Sequence, residues 1–183
     1  MKKTIAVIGA AGKAGSAIAP GLTAAGYRVL LADEIKKRPF LYVRLLLLEY
    51  MIKSKCSPVD VEMVLSEREA SWEADIIIVA VHRKKHADTA CKIKDVVTGK
   101  IVIILMNGTL ERSATEELAR LLPNSKIVNV RHANGLGHWE KSAGDGTIND
   151  VVISGNDQDA VSKAMQLLND SGLHPLRMDP RSQ

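Results

Sequence analysis

Residues 4–15 read TIAVIGAAGKAG, an apolar run that ends at a glycine and continues into small residues. The run Thr4–Ile8 predicts a buried strand, and the segment after it predicts a tight turn that opens a helix. Gly26 is placed to end that helix in the left-handed conformation, and residues 27–32 predict the next strand. Strand, glycine turn, helix and strand follow one another within about 30 residues, the size of one βαβ unit.

The same alternation of strands and helices continues along the chain. Further strands are expected at residues 75–81, 101–106, 127–130, 151–154 and 173–178. Helices are expected at residues 40–53, 66–74, 82–97, 113–122 and 157–169. This alternation predicts an α/β fold of three layers, with a mainly parallel, Rossmann-type sheet and helices on both faces. We expect residues 1–183 to form a single domain.

The composition is that of an ordinary globular protein, with 46% hydrophobic and 25% charged residues and a formal net charge of +4. Aromatic residues make up only 3%, which disfavours nucleic-acid binding by base stacking. Every apolar run is shorter than the roughly 20 residues needed to cross a bilayer. The two cysteines have neither disulfide nor metal-ligand spacing. We therefore expect a cytoplasmic protein without nucleic-acid, membrane or metal partners.

The glycines of residues 9–15 have the spacing G-x-x-G-x-x-G, one place longer in its first interval than the usual dinucleotide fingerprint. One glycine permits the sharp turn, another lets the backbone approach a pyrophosphate, and the last lets the helix pack closely on the sheet. The N–H groups at the helix start then face the phosphates. A glycine turn without a ligand is the alternative. The context of strand, turn and helix favours binding of NAD or NADP.

Charged residues nearby bear on the choice between these two dinucleotides. Asp33 ends the second strand, where a carboxylate accepts hydrogen bonds from the ribose hydroxyls and repels a 2′-phosphate. This favours NAD, but Lys36, Lys37 and Arg38 could reach such a phosphate, so NADP stays open. The cations Arg83–Lys85 lie at the start of a predicted helix, where the helix dipole disfavours positive charge. Either a nearby phosphate compensates for them, or they are ordinary surface charges.

Two less regular segments could complete a substrate site. The helix at residues 40–52 is apolar on all sides, so it is either partly buried or packed against the second subunit of a homodimer. Residues 131–149 are rich in glycine and histidine and show no clear period. Ligands of such sheets bind outside the carboxyl ends of strands, which makes His132 a catalytic candidate. His138 and Lys141 are further candidate proton donors, and a purely structural loop histidine is the alternative.

The sequence resembles the coenzyme F420-dependent NADP oxidoreductase family. The likeness begins at residues 8–15 and continues in residues 26–29, 74–79, 88–90, 99–102, 111–114, 126–128, 155–157 and 172–176. It implies a Rossmann domain that transfers hydride between a nicotinamide dinucleotide and a deazaflavin, F420. Such direct transfer makes no acid or base residue obligatory.

The resemblance also implies roles for individual residues. Against the cofactor phosphates it places Ala11, Gly12, Lys13 and Ala14. Val81 and His82 would lie beside the nucleotide, and His132 near the nicotinamide. The expected cofactor-binding set is completed by Gly9, Ala10, Asp33, Arg38 and Asn107.

The sequence departs from the family pattern in three places. The Ser-Arg pair that grips a 2′-phosphate after the second strand is Asp33-Glu34 here. Residues 35–65 have no clear counterpart and are expected to be a helical insertion. The sequence ends at Gln183, where family members continue into a helical segment that helps to form the deazaflavin pocket. Two other functions therefore stay open: a short dehydrogenase acting on a small hydroxy acid or imine, and a non-catalytic NAD(P)-binding sensor or subunit.

Overall fold

A computed structural model describes residues 3–34, 40–55, 60–106, 112–133 and 150–178. Its elements in chain order are β1 (Thr4–Ile8), α1 (Lys13–Ala24), β2 (Arg28–Ala32), α2 (Phe40–Lys55), β3 (Val61–Val64), α3 (Glu67–Glu73), β4 (Ile76–Val79), α4 (His86–Ile93), β5 (Ile101–Met106), α5 (Arg112–Leu121), β6 (Lys126–His132), β7 (Asp150–Gly155), α6 (Gln158–Asp170) and β8 (His174–Arg177). A 3₁₀ turn at Arg83–Lys85 leads into α4.

The strands form one sheet in the order β3-β2-β1-β4-β5-β6-β7-β8. Neighbouring strands are parallel, except that β7 runs antiparallel to β6. The order of the first six strands is that of the doubly wound dinucleotide-binding fold, in which the chain starts at the centre and reverses direction between β1 and β4. The predicted Rossmann-type architecture with a mainly parallel sheet is confirmed.

Helices cover both faces of this sheet. On one face α1, α2 and α6 share a core with the strands, to which they contribute Ile18, Leu45 and Leu168. On the other face α4 and α5 pack Ile93 and Leu118 against β4 and β5, and α3 packs beside them against β1 and β2. Because both faces are covered, β4 and β5 are buried along their whole length, which is why they read as unbroken apolar runs.

The segment between β2 and α3 contains a strand, β3, that the sequence analysis does not predict. Its four residues VEMV are few and carry a charge in the middle. Arg28 of β2 lies 3.4 Å from a carboxylate oxygen of Asp60 and 3.1 Å from one of Glu62. It also pairs with Glu73 of α3. The residues expected to form a helical insertion thus hold both α2 and an edge strand beside β2.

The helix predicted at residues 82–97 is shorter in the structure. The ring Nδ1 of His82 accepts a hydrogen bond from the Lys84 N–H at 3.3 Å and caps the 3₁₀ turn, so α4 begins only at His86. At the other end, the Val96 N–H donates to the Ile93 carbonyl at 3.0 Å, which tightens the chain into a turn. The cations Arg83–Lys85 therefore belong to a separate turn rather than to the first turn of α4.

The apolar helix α2 is partly buried in this chain. Leu41, Leu45 and Ile52 face the core. Its outer side is also apolar, with Leu47 56% and Tyr50 71% exposed. The expectation of a partly buried helix therefore holds within this chain, and the exposed apolar side chains are the part that a second subunit could cover. None of the helices in the described ranges has the length and apolarity to cross a membrane.

Two glycines determine how α1 ends and packs. Gly26 has a φ of +88°, and its N–H donates to the Thr23 carbonyl at 3.0 Å, which confirms its predicted place after the helix. Gly21 lies against the end of α6. A Cβ added at Gly21 would lie 2.2 Å from the carbonyl oxygen of Ser171. The helix and the segment after α6 can approach this closely only because residue 21 has no side chain.

We predict that Gly21→Ala lowers the free energy of unfolding by about 1–3 kcal/mol, because the new methyl group must push α1 away from Ser171. Chemical denaturation monitored by circular dichroism measures this change. The control Ala24→Ser alters an exposed position of the same helix, where a change within about 0.5 kcal/mol is expected. A Gly21→Ala protein as stable as the wild type would contradict the packing described.

Candidate functional site

The glycine turn joins β1 to α1 at the carboxyl edge of the sheet. The N–H groups of Gly9 and Ala10 both donate to the carbonyl of Ala32 at the end of β2, at 2.9 and 3.1 Å. Gly9 has a φ of +82°, and a Cβ added there would lie 2.9 Å from Cγ1 of Val81. The turn is therefore held against the end of β2 on one side and against the residues after β4 on the other.

The next two glycines shape the start of α1. A Cβ added at Gly15 would lie 2.4 Å from the carbonyl oxygen of Gly9, so the helix packs directly on the turn. Gly12 is the N-cap of α1, with a φ of −78° and no side chain to cap the helix. The N–H groups of the first helical turn have no acceptor within the helix. Because Gly12 has no side chain, a ligand can come close to these N–H groups, and such a helix end is suited to bind the phosphates of a dinucleotide.

Asp33 connects the glycine turn to the end of β2. It is 9% exposed, and its Oδ2 accepts a hydrogen bond from the Ala11 N–H at 3.1 Å. Its Oδ1 accepts a hydrogen bond from the N–H of Glu34 at 2.8 Å. Each carboxylate oxygen can accept a further hydrogen bond. Asp33 therefore fixes the turn and still offers acceptors to a ligand.

A pocket of about 620 Å³ opens beside the glycine turn, within the usual range for sites that hold a small molecule. Six of the residues predicted to bind the cofactor line it, namely Gly9, Ala11, Gly12, Asp33, Val81 and His82. Ala10, Lys13 and Ala14 belong to the same turn and first helical turn but not to this lining. The structure thus brings the turn, the end of β2 and the segment after β4 to one cavity.

The far wall of the pocket comes from residues that the sequence analysis does not assign to the cofactor. They are Glu34, Phe40, Leu41, Arg44, Glu67, Lys84, Lys85, Asp88, Thr89 and Lys92, whereas Ala80 lines the pocket beside Gly9. Two sequence signals pointed to this wall: the basic cluster Arg83–Lys85, and Glu34, which with Asp33 replaces the Ser-Arg pair of the resembled family. The sequence did not predict that α2 lines the pocket, because its apolar pattern indicates burial in a core and not contact with a ligand. Glu67 gave no signal, because it meets Lys92 only in the fold.

Lys92 lies at the centre of a group of carboxylates on this wall. Its Nζ lies 2.8 Å from Asp88, 2.9 Å from Glu67 and 3.2 Å from Glu34. Burial alone would lower the pKa of Lys92, but hydrogen bonds to the three carboxylates outweigh burial and raise this pKa above its usual range. Lys92 therefore stays charged and holds residues from β2, α3 and α4 together.

The other predicted site residues lie elsewhere. His132 ends β6 at the carboxyl edge, is 8% exposed and pairs with Val151 of β7. It is not among the described residues that line the pocket. Outside the described residues lie Lys36, Lys37, Arg38, Asn107, His138 and Lys141.

A buried histidine supports the segment after β4. His86 donates from Nε2 to the carbonyl of Val81 at 3.2 Å, and Val81 lies against Gly9. Burial lowers the pKa of His86, and electrostatic interactions with His82 and Arg83 act in the same direction. The hydrogen bond to Val81 and the charge of Glu117 oppose this shift without reversing it. The neutral ring thus positions one edge of the pocket.

Residues 4–108, more than half of the chain, match the model of a family described as coenzyme F420-dependent NADP oxidoreductases. The chain belongs to this family. The resemblance noted in the sequence is therefore confirmed, and the chain is a member of an oxidoreductase family, as expected. The match includes the glycine turn and the residues that follow β2 and β4, where the predicted residues that line the pocket lie.

Solved structures of other proteins share the fold of this chain. A hypothetical protein from Sinorhizobium meliloti is 24% identical with a TM-score of 0.70, over 97% of this chain and 84% of that one. A pyrroline-5-carboxylate reductase from Coxiella burnetii is 19% identical with a TM-score of 0.73, over 100% of this chain. An imine reductase from Myxococcus stipitatus, solved with NAD⁺, is 19% identical with a TM-score of 0.68, over 97% of this chain. The chain spans 61% of the former reductase and 55% of the latter, less than two thirds of either.

We predict that His86 makes the stability of this family member depend on pH. Because its pKa is lowered in the folded state, the unfolded chain binds a proton first as the pH falls below about 6.5. Stability is therefore lost on acidification through this range. Urea unfolding at about pH 7.5 and about pH 5 should show a smaller loss for His86→Gln than for the wild type. Equal losses would contradict the assignment.

Proposed function

We propose that the chain is an NAD(P)-dependent oxidoreductase that binds the dinucleotide in the pocket beside the glycine turn. The observation that supports this most strongly is the meeting of two features in one cavity. The bare N-terminus of α1 suits a pyrophosphate. The buried carboxylate of Asp33 suits a ribose and lies at the end of the adjacent strand.

In this proposal each wall of the pocket contacts a different part of the dinucleotide. The residues against the phosphates are Gly9, Ala10, Ala11, Gly12, Lys13 and Ala14. The carboxylate of Asp33 accepts hydrogen bonds from the ribose hydroxyls and repels a 2′-phosphate, so NAD binds more tightly than NADP. Val81 and His82 flank the nucleotide on the β4 side. Arg38 and Asn107 remain proposed contacts.

The second substrate is proposed from the family. A bound nicotinamide supplies or accepts hydride, and the family description names coenzyme F420 as its partner. The shared fold of the pyrroline-5-carboxylate and imine reductases favours a small substrate with a C=N bond as the second candidate. His132, at the carboxyl edge of β6, is the residue we propose to orient that substrate. A homodimer through the outer side of α2, and a cytoplasmic location, also remain predictions.

The variant Gly12→Asp separates binding from folding. Its φ of −78° suits any residue, and aspartate is a favourable N-cap, so α1 should form. An added Cβ would lie 3.0 Å from the Gly9 carbonyl oxygen, which requires a shift of a few tenths of an ångström. The carboxylate would occupy the place of the pyrophosphate and repel it. We expect Gly12→Asp to reduce the affinity for NADH by at least about 100-fold, or ~2.7 kcal/mol, measured by calorimetry.

Gly12→Ser is the matched control. Serine is also a favourable N-cap and adds a Cβ at the same position, but its side chain carries no charge. We expect it to retain much more of the NADH affinity than Gly12→Asp. If the two variants bind NADH equally well, the pyrophosphate does not lie at this helix end. If the wild type binds neither NADH nor NADPH at millimolar concentration, the proposed function is wrong.

A further inference from the structure

Glu34 follows Asp33 and places a second carboxylate at the end of β2. Its side chain is only 9% exposed, although it lines the pocket. One carboxylate oxygen pairs with Nζ of Lys85, and the other lies 3.2 Å from Nζ of Lys92. Glu34 therefore holds two lysines that approach from the 3₁₀ turn and from α4.

The two lysines differ in how many carboxylates they contact. Lys92 also pairs with Glu67 and Asp88, so its charge is balanced without Glu34. Among the described residues, Glu34 is the one carboxylate that contacts Lys85. Removing the charge of Glu34 would thus leave Lys85 as a cation facing the pocket without a carboxylate partner.

This arrangement bears on where the adenosine ribose of a dinucleotide would lie. In this fold the ribose that carries the 2′ group lies at the end of β2, where Asp33 and Glu34 stand side by side. A 2′-phosphate carries nearly two negative charges. To bind there it would have to approach both carboxylates and displace Glu34 from Lys85. A 2′-hydroxyl has no such conflict and can donate to a carboxylate.

We propose that Glu34, by neutralising Lys85, makes this pocket select NAD over NADP. This inference rests on the proposed function, because it requires a dinucleotide in the pocket. It assigns to Glu34 a role separate from that of Asp33, whose carboxylate also holds the glycine turn through the Ala11 N–H. It further sets this chain apart from its family, whose description names NADP.

The test is Glu34→Gln in the full chain, which keeps the size of the side chain and removes its charge. Lys85 then becomes available to a 2′-phosphate. We expect NADPH to bind about tenfold more tightly than to the wild type, equivalent to ~1.4 kcal/mol, while the affinity for NADH changes by less than about threefold. Calorimetric titrations of the wild type and the variant with both dinucleotides give the ratio of affinities.

Two further variants make the test specific. Glu73→Gln removes the same charge, but Glu73 pairs with Arg28 and is not among the described residues that line this pocket, so the ratio should stay that of the wild type. The double variant Glu34→Gln/Lys85→Met should lose the gain in NADPH affinity, because the cation that receives the phosphate is gone. Thermal unfolding checks that each variant is folded. Should Glu34→Gln not fold, Lys85→Gln in the wild-type background replaces it, and its ratio should shift further towards NADH.

The outcomes separate this inference from the proposed function. A wild type that binds neither dinucleotide overturns the proposed function and, with it, the role of Glu34. A wild type that binds NADH and NADPH, with the same ratio after Glu34→Gln or Lys85→Gln, overturns only the role of Glu34. A wild-type preference for NADPH, or a gain that persists in the double variant, overturns it as well.

Discussion

The contact between Gly15 and the carbonyl of Gly9 is the constraint on which the site depends. A Cβ at Gly15 would lie 2.4 Å from that oxygen, so α1 can start directly on the turn only without a side chain there. The same turn is held to β2 by two hydrogen bonds to Ala32 and by the Ala11 N–H to Asp33. The start of the helix, the end of β2 and the residues after β4 consequently share one cavity. The candidate chemistry follows from this convergence.

Electrostatics gives the cavity two unlike walls. The wall at the glycine turn offers the positive end of α1 and suits the negative pyrophosphate. The opposite wall carries Glu34, Glu67 and Asp88 around Lys85 and Lys92, so these two cations are balanced by carboxylates. Among the described residues that line the pocket, the four carboxylates Asp33, Glu34, Glu67 and Asp88 match the four cations Arg44, Lys84, Lys85 and Lys92 in number, so this part of the lining shows no basic excess. We propose that a ligand with a negative pyrophosphate and a neutral ribose edge fits these walls better than one with negative charge at both places.

The sequence predicted the Rossmann architecture because its central strands are buried on both faces and its first turn needs glycine for local steric reasons. The edge strand β3 could not be predicted, since its four residues gain their place from Arg28 and its acidic partners, which lie far apart in the chain. Most of the far wall of the pocket was missed for a similar reason, since Glu67 reaches Lys92 from another helix. His132 was expected in the irregular loop after the strand at residues 127–130, but it is the buried last residue of β6 and pairs with Val151 of the antiparallel strand β7. Periodicity along one strand does not encode that pairing.

The central claim is that a nicotinamide dinucleotide binds with its pyrophosphate at the start of α1. The most direct measurement is an amide NMR titration of the isotopically labelled chain with NADH. We predict that the largest and saturable shifts belong to the N–H groups of residues 11–15, with smaller shifts at Asp33 and Val81. Saturable shifts that leave residues 11–15 unchanged, or no shifts at millimolar NADH, would contradict the account.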